Sequence, residues 1–232
     1  AVDEAVLGLL AEVLAADMFF AAKYATDDLY YRATHDEMTG LANRALFFDR
    51  IRNELARVKR EGIEFGLLLI DMDGLKAIND SYGHLAGDAA ICEIAKRARQ
   101  TLRGSDTIAR LGGDEFAILI HDLQTPEDAA RVAMKMIAEF SQPWLLSDQY
   151  EITLGVSIGI SVYPQHANTT LNMLQGADAA LYKAKAAGRN TYTFFSDEFT
   201  LGARERLTME ANLRKAIRLG QLQVFYQPQV EI

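Results

Sequence analysis

This sequence of 232 residues has a single cysteine, a deficit of basic residues and no long apolar run. Each shortage excludes something. Twenty-four Lys and Arg stand against 32 Asp and Glu, a formal net charge of −8. Nucleic-acid surfaces bind through clustered cations on phosphate, so no nucleic-acid partner is expected. An anionic ligand would need a local cationic site or a metal. Cys92 lies in an apolar-periodic stretch and reads as a small buried hydrophobe, which fits a reducing compartment. The chain is long enough to build a core without disulfides. No apolar run approaches the roughly 18 residues of a membrane span, and Asp3, Glu4, Glu12 and Asp17 break up the first twenty residues. Neither a span nor a signal peptide is visible, so the expected location is cytoplasmic, with any membrane anchor lying upstream. The chain opens without methionine and stops just after VFYQPQVEI, which reads as a piece of something longer.

Hydropathy patterning gives the organisation. From Val2 to about Arg32, apolar residues at three and four spacings (Val6, Leu9, Leu10, Val13, Leu14) predict a long amphipathic helix. After HDEMTGLANR a helix resumes from Ala45 to Glu61, with Phe47, Phe48, Ile51, Leu55 and Val58 on one side. FGLLLIDM, Phe65 to Met72, is short and almost wholly apolar, as expected of a central strand buried on both faces. Helices are predicted over Leu75–Tyr82, Ala89–Leu102, Pro126–Phe140 and Leu171–Ala187. Strands are predicted over Thr107–Leu111, Phe116–Ile120, Tyr150–Val162 and Thr191–Phe195. Gly112 and Gly113 suit a tight hairpin turn. This order gives an α+β fold: a ferredoxin-like βαββαβ core with a mostly antiparallel sheet surrounded by helices. Three units are expected: an N-terminal helix over 1–33, a core domain over 34–197, and a further unit beginning within 198–232.

The carboxylates stand out. Asp71 and Asp73 end the central strand, and Asp114 and Glu115 leave the hairpin turn on its expected neighbour. Taken alone, each pair reads first as ordinary cap or turn residues. Converging at one sheet edge, they would repel one another unless a cation neutralised them, and hard oxygen donors suit Mg²⁺. Gly74, Leu75 and Lys76 follow directly, so backbone N–H groups at a helix start could cradle phosphate beside such an ion.

Five blocks, TGLANR, DMDGLKAINDSYGHLAGD, ARLGGDEF, SIGIS and ADAALYKAKAAGRN, resemble the GGDEF domain of diguanylate cyclases, in order and over roughly His35 to Phe195. The resemblance implies condensation of two GTP into cyclic di-GMP with release of two pyrophosphates, at a site shared across a homodimer. It implies that Asp71, the Met72 carbonyl, Asp114 and Glu115 bind Mg²⁺, with Mn²⁺ as an alternative, and that Asp114 also helps to deprotonate the 3′-hydroxyl. It implies that Asn79 and Asp88 read guanine and that Lys76 steadies phosphate charge. Lys185 and Arg189, one helical turn apart, would grip the terminal phosphates, and Gly113 would leave room for the nucleotide. Phosphoryl-type transfer needs placement and cations more than a protein nucleophile, so the lack of a Ser–His or Cys–His constellation is no objection. Leu75 stands where the family commonly has phenylalanine.

Arg103 and Asp106 form an RxxD sequence ahead of Gly112, matching the family's product-inhibition site for cyclic di-GMP. The tail from Glu205 to Val230 resembles the opening of an EAL phosphodiesterase domain without the motifs that carry EAL chemistry. Two other readings stand beside the cyclase. One is a silent GTP-binding module that tunes an adjacent EAL domain, and the other is a cyclic di-GMP receptor acting through Arg103 and Asp106.

Overall fold

The computed structural model describes residues 28–147, 150–196 and 216–217. Most of the expected N-terminal helix and nearly all of the expected EAL-like tail lie outside these residues. Within them, 28–34 is helical. The loop that follows is tied by Asp36, which accepts from the Thr39 amide at 2.9 Å and the Thr39 hydroxyl at 2.6 Å. Asn43 then caps α1 (Arg44–Glu61), accepting from the Leu46 amide at 3.1 Å.

The chain continues through β1 (Glu64–Asp73), α2 (Leu75–Tyr82), α3 (His84–Thr101), β2 (Thr107–Gly112) and β3 (Glu115–Leu123). It then forms α4 (Pro126–Phe140), β4 (Trp144–Ser147), β5 (Tyr150–Ile152), β6 (Gly155–Tyr163), α5 (Thr170–Ala186) and β7 (Tyr192–Phe194). The main sheet has the order β2-β3-β1-β6-β7. It is antiparallel except where β7 joins β6 in parallel. This is the expected mixed α+β fold.

The alternation of β1 divides the core. Leu68, Ile70 and Met72 face α3 and α4, packing with Ile91, Ile94, Met136 and Phe140. Phe65, Leu67 and Leu69 face α1 and α5, packing with Phe47, Ile51, Met173 and Leu181. Both faces are buried, which explains why the strand reads as continuous apolar sequence. Gly159 lets α5 lie directly on β6: a Cβ there would fall 2.0 Å from the Ala177 carbonyl oxygen and 2.3 Å from the Leu181 nitrogen.

Three expectations need correction. Tyr150–Val162 is not one strand. β5 pairs with β4 in a separate two-stranded sheet, and Leu154 is buried in the break before β6. Cys92 is exposed, because the buried stripe of α3 runs through Ala90, Ile91, Ile94, Ala95 and Ala98 and position 92 falls beside it. Arg189 does not share a helical turn with Lys185, since α5 ends at Ala186.

Candidate active site

Asp71 and Asp73 are odd-numbered like Leu67 and Leu69, so they share the α5 face of the sheet, at the end where the apolar run stops. In register, Asp71 stands opposite Glu115 on β3 and Ser157 on β6. Side chains directly opposed in an antiparallel pair lie on one face. The Met72 amide donates to the Asp114 carbonyl at 3.2 Å, which docks the GG turn on the end of β1. Met72's own side chain is core. Strand and hairpin, distant in sequence, therefore bring Asp71, Asp73, Asp114 and Glu115 to one sheet end.

Lys185 reaches this end from the last turn of α5. Its Nζ lies 2.6 Å from Asp71 Oδ2, with the Asp71 side chain 14% exposed. Burial is the main reason the Asp71 carboxyl sits above the ordinary carboxylate value, and the negative charges of Asp114 and Asp73 push it the same way. Lys185 offsets these effects only in part. An acidic edge that already draws an ammonium offers hard oxygen donors, and that chemistry suits a divalent cation. Among the described residues, no three acidic, His or Cys side chains close on a common point. The four implied ligands share an edge without forming a cage, Glu115 remaining exposed and Lys185 supplying the charge at Asp71.

Gly74 takes φ +90 and begins α2, and Lys76 is exposed on its first turn. Leu75 turns its side chain into the core, so only its backbone belongs to this turn. Asn79, on the last turn of α2, has a buried side-chain oxygen with no partner. It lies against Gly87, where a Cβ would fall 2.0 Å from that oxygen. An unpaired buried acceptor beside the half-buried Asp88 suits a ligand edge that presents N–H donors.

The hairpin has a support that the motif blocks do not assign. Arg110 donates to the Gly113 carbonyl from Nε at 3.1 Å and from Nη2 at 2.9 Å, and pairs with Asp36 at 3.2 Å. Its side chain is 10% exposed. Burial alone would raise the Asp36 carboxyl, but the Thr39 hydrogen bonds and the Arg110 charge outweigh it and hold Asp36 below its ordinary value. The one signal in the sequence is a charged residue placed within β2.

Arg103 and Asp106 lie on the far side, lining a cavity of about 320 Å³ with His121, Asp122, Arg131 and Lys135. Asp106 accepts from the Arg103 amide and the His121 amide, both at 3.3 Å. Behind it, buried Glu54 accepts from Arg57 at 2.6 Å and lies 2.9 Å from His121 Nδ1.

Comparison with known proteins gives the family of the fold. Residues 33–191 match the family described as "Diguanylate cyclase, GGDEF domain". The chain is 43% identical over 206 residues to the bifunctional diguanylate cyclase/cyclic di-GMP phosphodiesterase MucR of Pseudomonas aeruginosa, covering 89% of this chain and 30% of MucR. It thus spans less than a third of that relative's length. The solved GGDEF domain of TpbB from the same organism is 40% identical, with TM-score 0.71, covering 73% of this chain and 99% of that one. The coiled coil and GGDEF domain of DgcB from Caulobacter crescentus, solved with c-di-GMP, is 27% identical with TM-score 0.73 over 82% of this chain and all of that one. Among the described residues no helix is long and apolar enough to cross a membrane. A sheet end of gathered carboxylates, a docked GG turn and a family match over two thirds of the sequence together make this chain a member of the GGDEF-domain diguanylate cyclase family.

Proposed function

We propose that this domain is a diguanylate cyclase, converting two GTP into cyclic di-GMP and two pyrophosphates when two copies face each other. In each half-reaction a 3′-hydroxyl oxygen of one nucleotide bonds to the α-phosphorus of the other. The bond from that phosphorus to the bridging oxygen breaks, and pyrophosphate leaves. The observation that carries this reading is the convergence of Asp71, Asp114, Glu115 and Lys185 on one end of the sheet.

Asp71, the Met72 carbonyl, Asp114 and Glu115 are the residues that would hold two Mg²⁺, with Mn²⁺ as a substitute. Bound there, the ions would neutralise charge on the triphosphate. Asp114, at the turn, takes the proton of the attacking hydroxyl. Lys185 is within reach to pass from Asp71 to the terminal phosphates when they arrive, joined by Arg189. Lys76 and the backbone of Gly74 and Leu75 steady the remaining phosphate charge, and Gly113 leaves the nucleotide room against the turn. Asn79 and Asp88 read guanine: the unpaired Asn79 oxygen accepts a base N–H and the Asp88 carboxylate accepts others, a pattern that adenine does not complete. Product binds at Arg103 and Asp106, where an arginine grips phosphate or guanine and holds the domains in an unproductive arrangement.

The test is pyrophosphate release from GTP with Mg²⁺, at protein concentrations high enough for association. Asp114→Ala should abolish turnover while the fold stays intact, because the half-buried Asp114 belongs to neither core cluster. Unchanged turnover would overturn the assignment. GTP binding without turnover in the unaltered chain would instead favour the silent regulatory module.

A further inference from the structure

Asp73 is left unassigned by this mechanism, yet its surroundings are the most constrained at the site. After α5 the chain passes through Gly188, Arg189 and Asn190 at φ +116, +63 and +46. Two consecutive non-glycine residues in the left-handed region are costly, and such backbone persists only where neighbours enforce it. Two hydrogen bonds do so: the Arg189 amide donates to the Ala184 carbonyl at 3.2 Å, and the Asn190 amide donates to Asp73 Oδ2 at 3.0 Å.

Asp73 is itself fixed. The fully buried Ser157 hydroxyl lies 3.0 Å from Asp73 Oδ1 and 2.9 Å from Oδ2, and the Asp73 side chain is 10% exposed. Gly155, opposite Asp73 in register, completes the seat, since a Cβ there would just touch Asn190 at 3.4 Å. Arg189 Nε is 3.7 Å from Asp73 Oδ1, with its side chain 64% exposed. The guanidinium is thus loosely held while its backbone is pinned. Asp71 faces a lysine that can leave, whereas both oxygens of Asp73 are engaged by protein donors.

We propose that Asp73 is a positioning residue: its carboxylate, oriented by Ser157, anchors the 188–190 turn and so sets where Arg189 meets the triphosphate. The inference rests on the phosphate role of Arg189 given above.

The test uses the full 232-residue chain and two readouts. Amide hydrogen exchange at Asn190 is measured without nucleotide, and kcat and KM for GTP are measured at saturating Mg²⁺. The variants are Asp73→Ala, Asp73→Asn, Ser157→Ala and Arg189→Ala. Loss of one hydrogen bond should speed Asn190 exchange in Asp73→Ala roughly three- to ten-fold. KM should rise as far as in Arg189→Ala, and the double variant should be no worse than Arg189→Ala alone. Asp73→Asn keeps an acceptor oxygen for the Asn190 amide and should recover most of the KM. Ser157→Ala should loosen the turn by a smaller factor, and with Asp73→Asn it carries the test if Asp73→Ala does not fold.

The proposal is overturned if Asp73→Asn is as impaired as Asp73→Ala, needs more Mg²⁺ for half activity and leaves Asn190 exchange unchanged. Asp73 would then be a metal ligand. An unchanged KM in Arg189→Ala would refute the phosphate role of Arg189, while the exchange readout would still decide whether Asp73 pins the turn.

Discussion

The Gly159→Ala substitution adds one methyl group where α5 rests on β6, and its cost follows from three distances. The new carbon would lie 2.0 Å from the Ala177 carbonyl oxygen, 2.3 Å from the Leu181 nitrogen and 2.8 Å from the Leu181 Cα, all backbone atoms that no rotamer change can move. Ordinary contact begins near 3.4 Å, so the helix must lift off the sheet. Lifting it opens the face on which Met173, Ala177 and Leu181 are buried against Leu67 and Leu69. Overpacking of this kind costs typically 1–3 kcal/mol, and a rigid backbone obstacle places it at the upper end, about 3 kcal/mol. For a domain of this size that amounts to a fall in Tm of roughly 6–12 °C. Lys185 rides on the same helix, so KM for GTP should rise as its Nζ leaves Asp71. Differential scanning calorimetry checks the first effect and steady-state kinetics the second. Gly104→Ala is the control, because a Cβ there meets nothing within 4 Å. A Gly159→Ala protein melting within about 2 °C of the parent, where about 3 kcal/mol was expected, would refute the close helix–sheet contact.

Two further outcomes test other parts of the molecule. Arg103→Ala should leave the initial rate intact and raise the cyclic di-GMP concentration for half inhibition roughly ten-fold or more, read from progress curves with added product. Inhibition that persists unchanged would remove the RxxD pair from regulation. Glu54→Gln should destabilise the fold at neutral pH by about 1–3 kcal/mol, measured by urea unfolding. Burial would raise the Glu54 carboxyl, but the Arg57 and His121 hydrogen bonds prevail and hold it below its ordinary 4.5. A depressed folded value contributes stability that is fully present above 4.5 and is lost as the pH falls through the folded value. The gap between parent and Glu54→Gln should close over that acid range, and a gap that widens instead would reverse the assigned sign.

The strands and helices that carry the site were legible because their signals are local. FGLLLIDM marks a doubly buried strand, Gly112-Gly113 marks a turn, and the acids beside them lie at the two ends that the sheet brings together. Pairing β1 with β3 makes Asp71 and Glu115 neighbours. The side-chain interactions that orient the site were not legible. Arg110 to Asp36, Ser157 to Asp73 and Asn190 to Asp73 join residues 74, 84 and 117 positions apart. No periodicity reports such pairs. Ser157 did offer a hint, a hydroxyl in a wholly buried strand that needs a polar partner. The break between β5 and β6 was invisible because Leu154 is as apolar as the strand residues around it, and a buried loop residue has the same signature as a buried strand residue. Cys92 is exposed although its neighbour Ile91 is buried, because a helix rotates about 100° per residue and a position next to a core residue can point to solvent.

The pairing of β1 with β6 runs unbroken from Phe65 to Asp73. A slip or deletion of one position along that strand would turn Asp71 and Asp73 onto the face packed by Ile91 and Met136 and exchange the side chains that fill the two buried faces. Only one alignment both fills the interior and sets the acids at the rim. Selection for a stable interior and selection for chemistry therefore act on the same alignment, and neither can drift along this strand without the other.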